Sequence, residues 1–288
     1  MKRNLILISA LTLLFIMACG MSFDIGGRSM RGSGKIITQT REVSKFERVD
    51  VCCGMELYLT QGGHESLEIK ADDNLLDEIR TDVVNGTLEI RYRTSSNVNY
   101  WPTEPVRLYL SAVVVRQVSI SGGGEFEVDT LKTDRFDLDL SGGSDANIGN
   151  LNADQITINV SGGGDITADQ LVADRLDVDL SGGSDAEIRD LTADIFTLNN
   201  SGGGTASVGG SVNDQKIDLS GGSNFQGDDL ESQSTTISCS GGGNSKIWVT
   251  ETLEVDLSGG SDLHYYGSPA VIDQNLSGDS KLESLGER

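Results

Sequence analysis

The chain has 288 residues, 36 of them glycine, with 5% aromatic residues and a formal charge of -22 at pH 7. So little aromatic bulk argues against a thick conventional core and leaves one or two small domains or a solenoid. With no Lys/Arg cluster to neutralise phosphates, nucleic acid is excluded as an expected partner, and an anionic bilayer surface would repel the body of the chain.

In chain order, Lys2 and Arg3 precede an apolar run from Leu5 to Met17, thirteen residues long. Spanning a bilayer takes roughly 20 residues, so this run suits the h-region of a signal peptide. Its end, Ala18-Cys19-Gly20, resembles a bacterial lipobox. Residues 1–18 are therefore expected to be a lipoprotein signal peptide and Cys19 the lipid attachment site, which makes the lipid the link to the membrane. Gly20-Met21 places no acidic residue directly after Cys19, so an outer-membrane location is expected over inner-membrane retention, with the surface and the periplasmic face both open to the domain. Residues 19–34, rich in Gly, Ser and Met without periodicity, read as a flexible tether.

Residues 35–120 carry strand-like runs at 46–51, 55–60, 67–71, 88–92 and 106–110, with a turn at Asn85-Gly86 and room for one helical turn in 74–80. Tyr100-Trp101-Pro102 reads as a loop. Cys52 and Cys53 are adjacent; on a strand their side chains would point to opposite faces, so they are expected to stay unbridged. Together with Cys239 they read as small buried apolar residues, and no Cys/His spacing suits zinc.

From residue 121 to 288 the chain repeats. Ser-Gly-Gly recurs at Ser121, Ser141, Ser161, Ser181, Ser201, Ser220, Ser240 and Ser258, in steps of 18 to 20 residues, with a worn copy at Ser277. One supersecondary unit is stacked again and again. The fourth residue alternates between Gly (124, 164, 204, 243) and Ser (144, 184, 223, 261), so the full period is two repeats. Before each Ser, apolar and polar residues alternate, as in Phe136-Asp137-Leu138-Asp139-Leu140, the mark of a strand with one buried face. A shorter alternation follows the glycines, so each repeat is expected to hold two short strands and two turns. Two residues before each Ser, charged and neutral residues take turns: Asp139, Asn159, Asp179, Asn199, Asp218, Ser238, Asp256, Asn275. Stacked parallel strands would set these side chains about 4.8 Å apart. Aspartate directly over aspartate there would cost roughly 1 to 3.5 kcal/mol per contact, which neutral interleaving avoids.

These patterns predict an all-β fold, a single-stranded right-handed parallel β-helix of about 20 residues per coil, over a β-propeller that would leave the charge alternation without a cause. The Ser-Gly-Gly pairs, preceded by Gly34-Lys35-Ile36-Ile37, Val43-Ser44-Lys45-Phe46 and Asn85-Gly86-Thr87-Leu88-Glu89-Ile90, resemble the putative auto-transporter adhesin head GIN domain family over residues 34–278. The resemblance implies a right-handed β-helix on a bacterial lipoprotein or exported protein, cell adhesion, and no catalytic residues.

Chemistry is sparser than architecture. Only two histidines, His64 and His264, are present, neither in a triad motif. Abundant carboxylates are what an acidic solvated face produces, so polysaccharide chemistry ranks below binding. Just after the glycines, Glu125, Asp145, Asp165 and Asp185 form a column without neutral interleaving, a weak calcium candidate against the simpler reading of a solvated corner. No other metal and no cofactor is expected. Trp248, Tyr265 and Tyr266, near the end of the polar face, are candidate sugar-stacking residues or, equally, part of a cap. The expected function is a non-enzymatic envelope lipoprotein whose β-helix binds glycan or extracellular protein. The alternatives are a structural spacer and a polysaccharide-active enzyme.

Overall fold

The computed structural model describes residues 28–93 and 98–288. The expected signal peptide, Cys19 and the expected tether up to residue 27 lie outside them. The chain divides into two units. In the smaller, residues 1–31 and 94–101, Arg28–Arg31 (β1) pairs in parallel with Val98–Trp101 (β8). Part of the expected tether is thus a strand, and Tyr100 and Trp101, expected in a loop, end its partner, as their β-forming side chains favour. Ser33 and Gly34, at the end of the expected tether, are held as well. Ser33 Oγ donates to Asp73 at 2.6 Å and Gly34 N to Asp72 at 2.8 Å.

The larger unit, residues 32–93 and 102–288, is an all-β solenoid of about eight turns, with parallel coils roughly 20 residues apart. Its first half holds Ile36–Arg41 (β2), Arg48–Val51 (β3), Glu56–Gln61 (β4), Ser66–Asp72 (β5), Ile79–Val84 (β6), Thr87–Tyr92 (β7), Arg107–Ala112 (β9) and Gln117–Ser121 (β10). The expected helical turn is a single 3-10 turn at Leu76–Glu78. Then come Glu125–Lys132 (β11), Arg135–Ser141 (β12), Asp145–Asn152 (β13) and Gln155–Gly162 (β14). Five long strands follow, Asp165–Gly182 (β15), Asp185–Gly202 (β16), Thr205–Gly221 (β17), Asn224–Gly241 (β18) and Asn244–Gly259 (β19). Asp262–Tyr266 (β20), Ala270–Leu276 (β21) and Lys281–Gly286 (β22) close the chain.

A regular coil has three sides, one more than the two-strand expectation. In β16 the buried residues are Ala186 and Ile188, then Leu191 and Ala193, then Phe196, Leu198 and Asn200. Two consecutive exposed residues, Arg189-Asp190 and Asp194-Ile195, mark the corners where the inward alternation slips by one while strand hydrogen bonding continues. In the first inward column large and small residues alternate, Phe126, Ala146, Ile166, Ala186, so bulky rings do not collide between coils. Across the interior Phe126 stacks on Phe136 with ring centroids 6.3 Å apart. A fully buried ring of this kind contributes roughly 2 to 3 kcal/mol.

The third corner explains the Gly/Ser alternation. Ser184 is buried, and its Oγ donates to Ser181 O at 3.0 Å, closing its own turn. Its carbonyl oxygen then lies 1.9 Å from where a Cβ on Gly204, one coil on, would stand. Gly164 over Ser144 and Gly243 over Ser223 repeat the arrangement at 2.0 and 1.9 Å. A serine coil therefore demands a glycine coil above it.

The order of coils departs from the order of the chain. β3 lies between β7 and β10, and β4 between β9 and β11, all in parallel. Residues 48–61 thus form the second coil, and β7 and β9, later in sequence, the outermost one. Antiparallel strands then cover this end: β5 pairs with β9, β2 with β5, and β6 with β7. They occupy backbone groups that an open edge would offer to another chain. At the other end the inward column gives out, with Gln274 opposite Val255 and exposed, as expected of a terminal coil.

Cys52 and Cys53 are joined by a disulfide, against expectation. The alternation argument fails because β3 ends at Val51. Cys53, with φ +72°, takes the corner position that Gly122, φ +80°, holds in the next coil. Cys52-Cys53-Gly54 is thus the same corner as Ser121-Gly122-Gly123, built from a different triplet. A Cβ on Gly122 would lie 3.2 Å from Cys53 Cα, so the two corners stack closely. Cys239 is free and buried between Leu219 and Leu257, as a small apolar residue. Burial pushes its thiol up to about 11.

Candidate functional site

The alternating residues form a hydrogen-bonded ladder on the outer face that ends at the Ser-Gly-Gly corner. Asp139, Asn159, Asp179 and Asn199 stand in register. Asn159 Nδ2 donates to Asp139 at 2.8 Å and Asn199 Nδ2 to Asp179 at 2.7 Å. The neutral residue therefore separates the charges and also binds one of them. In the neighbouring column Arg135 pairs with Asp137 at 2.9 Å and Arg175 with Asp177 at 2.6 Å, and these carboxylates hold both guanidinium groups above their ordinary range. Two shallow grooves of about 280 and 300 Å³ run along the ladder and share Asn199 and Ser201.

Alternation fails at the first coils, where Asp50 stands directly opposite Glu89. Burial first, and then the Glu89 charge, raise the Asp50 carboxyl above its usual range, with Arg91 opposing. Another ladder went unnoticed in the sequence: Asp154, Asp174, Asp194 and Asn213 line a groove of about 510 Å³ at a different corner. Asn213 Nδ2 donates to Asp194 at 2.9 Å. Its signal, an Asp before each third inward run, was legible.

Glu125, Asp145, Asp165 and Asp185 do share one column. Three of them each have one oxygen engaged by the protein: Asp145 accepts from Asp165 N at 2.9 Å, Asp185 from Thr205 N at 2.6 Å, and Glu125 from Asn147 Nδ2 at 3.0 Å. Among the described residues no group of three or more His, Cys, Asp or Glu is placed to hold a metal ion.

Trp248 stands opposite Tyr266, and the guanidinium of Arg288 lies over both rings, 5.2 and 5.8 Å from their centroids. Arg288 also pairs with Asp229. Tyr265 is opposite the buried Ile247, in the inward column, and packs against the core. The structure therefore brings Trp248 and Tyr266 together and sets Tyr265 apart. His264 Nε2 is 3.4 Å from Glu283, and the carbonyl of His64 accepts from Ser111 Oγ at 2.9 Å.

Another aromatic pair, Tyr58 and Tyr109, was missed by sequence reasoning. The rings stack at 5.2 Å on the outer face of β4 and β9. Tyr58 Oη donates to Glu56 at 3.0 Å, and Arg107 Nε donates to the same oxygen at 3.0 Å. Burial, then the Glu56 carboxylate, push the Tyr58 phenol up to about 12. Both tyrosines occupy outward positions of predicted strands, but nothing in the sequence reveals that strands 51 residues apart are neighbours.

This arrangement of Ser-Gly-Gly corners and paired coils matches a known family. The family described as putative auto-transporter adhesin, head GIN domain, matches residues 45–209 and 170–269. The chain belongs to this family. Solved structures similar to this GIN-domain chain include an adhesin described as putative from Parabacteroides merdae, 17% identical, with a TM-score of 0.70, covering 90% of this chain and 99% of the other. A similarly described adhesin from Parabacteroides distasonis is 16% identical, with a TM-score of 0.69, covering 89% and 100%. A putative lipid binding protein from Parabacteroides distasonis is 16% identical, with a TM-score of 0.64, covering 90% and 100%. At these identities the likeness concerns the fold. No protein of curated function matches the sequence.

Proposed function

We propose that this GIN-domain chain is a non-enzymatic adhesin of the bacterial cell envelope, anchored by lipid on Cys19 and binding glycan or extracellular protein through the outer faces of its solenoid. The observation that carries the reading is membership of an adhesin head family across residues 45–269. The polar ladders support it: their carboxylates are held by Asn and Arg neighbours, an arrangement that fixes a regular surface. An acyl group on Cys19 would hold this acidic body at a membrane that its own charge avoids. The spacer reading uses the same regularity and predicts no ligand.

The test is retention of the full chain on arrays of glycans and matrix proteins, with calcium and with chelator. Saturable retention without turnover of the glycan is expected. Turnover would favour the enzyme, and absence of retention by folded chain would favour the spacer. Labelled fatty acid is expected to enter the wild-type chain and not Cys19→Ser.

A further inference from the structure

A cleft larger than the grooves on the ladders lies elsewhere on the solenoid. A cavity of about 690 Å³ opens where β3, the Asn85-Gly86 turn and residues 113–117 meet. Four cations, Lys45, Arg48, Arg116 and Arg135, line it beside three carboxylates, Glu47, Glu65 and Asp137, on a chain whose net charge is -22. Arg116 is neutralised by Asp134 and Glu47, and Arg135 by Asp137. The other two form no ion pair among the described residues. Arg48 spends Nε on Thr87 Oγ1 at 3.0 Å and Nη2 on the carbonyl of Asn85, both neutral acceptors. Lys45 Nζ makes no ion pair among the described residues. Lys45 also has φ +65°, a conformation that costs a non-glycine residue stability and tends to persist where the site needs it. Its N–H is fixed by Glu65 at 2.9 Å. Val113, 46% exposed, and Val114 supply an apolar wall beside these cations.

We propose that this cleft binds an acidic saccharide, with its anionic group held by Arg48 and Lys45 and a carbon face of the sugar ring against Val113 and Val114. The inference deepens the adhesive reading and rests on it. A guanidinium fork and an ammonium suit the oxygens of a carboxylate or a sulfate equally. The apolar wall suits the C–H face of a pyranose, and the volume lies in the range of small-ligand sites. An acidic peptide fits less well. Extended peptides dock by adding to a free strand edge, and β3 is already paired on both sides, by β7 and β10.

Calorimetry on the full chain at about 0.15 M salt, where screening reaches within roughly 8 Å, tests this. The probes are trigalacturonate, its neutral methyl ester, a sulfated galactotriose and hexaglutamate. At least one acidic sugar is expected to bind, and whether it is the carboxylate or the sulfate identifies the anion. The ester, and the variants Arg48→Gln and Lys45→Gly, should each weaken binding by about tenfold or more. Glycine accepts φ +65° without cost, so Lys45→Gly should melt no lower than wild type, and its loss of binding reports the charge. Failure of both acidic sugars to bind, equal binding of the ester, wild-type affinity in both variants, or equal binding of hexaglutamate overturns the proposal. If the acidic sugars fail while the chain is retained on other glycans or matrix proteins, this site falls and the adhesive reading stands. If nothing is retained, both fall.

Discussion

Three glycines of one turn, 202 to 204, test how the coils are spaced. A Cβ on Gly204 would stand 1.9 Å from Ser184 O, more than about 1 Å closer than real Cβ atoms approach backbone. The obstacle is backbone, so no side chain can move aside. Relief requires the two coils to separate locally, which stretches Gly203 N to Gly182 O, now 2.9 Å, and Thr205 N to the Asp185 carboxylate, now 2.6 Å. Two weakened hydrogen bonds at about 1 kcal/mol each, added to overpacking of about 1 to 3 kcal/mol, put Gly204→Ala at roughly 3 to 5 kcal/mol destabilised. Gly203 has nothing within 4 Å of its Cβ position and no positive φ, so Gly203→Ala should lie within about 0.5 kcal/mol of wild type. Gly202 combines φ +140° with a 2.0 Å approach to Gly182 O, so Gly202→Ala should cost at least as much as Gly204→Ala. Urea unfolding, followed by circular dichroism and by Trp248 fluorescence so that partial unfolding of a solenoid is seen, measures all three. Equal stability of Gly203→Ala and Gly204→Ala would refute the argument that carbonyl contact between coils sets the Gly/Ser period.

Other consequences can be checked more briefly. The tryptic peptide covering residues 49–70 should be lighter by about 2 Da without reduction and take two alkyl groups only after it, as a bridged Cys52–Cys53 requires. Cys239, buried and with its thiol pushed up to about 11, should resist iodoacetamide near pH 8 in native protein and react at once in denaturant. The Arg116 guanidinium pulls the exposed Asp134 carboxyl down to about 2. Its stabilising contribution is present above the ordinary carboxylate range and is lost as pH falls from about 4 toward 2, so Asp134→Asn should reduce the steepness of acid unfolding there, modestly because the pair is solvated. Arg288→Ala should shift Trp248 emission and uncover the Trp248 and Tyr266 rings; if those rings bind sugar, retention on a glycan array should rise.

The alternation Phe136-Asp137-Leu138-Asp139-Leu140 was enough to show which side chains point inward, because a strand has only two faces. The charge alternation fixed the register, because only in-register stacking brings Asp139 and Asn159 together. Three-sided coils were less visible: the second corner is a one-residue slip at pairs such as Asp194-Ile195, which reads as an ordinary turn. Among the candidate residues, position on a repeat was readable and contact was not. Trp248 meets Tyr266 through the repeat, but Arg288 reaches them from beyond it. Tyr58 and Tyr109 meet through a coil order that no local pattern encodes.

Repetition is the property that the sequence by itself determined. The Ser-Gly-Gly spacing and its Gly/Ser alternation dictate coil length, register and a period of two, because each coil contacts mainly its neighbours and every local rule recurs. Tertiary structure alone decided what strands β2 to β7, β9 and β10 do. There residues 48–61 lie between a coil built from β7 and β9 and one built from β10 and β11, Cys52-Cys53 substitutes for a glycine corner, and antiparallel strands cover the end. Those placements depend on contacts between segments 20 to 70 residues apart that share no periodic signal. The cation-lined cleft beneath the Asn85-Gly86 turn exists only because of them.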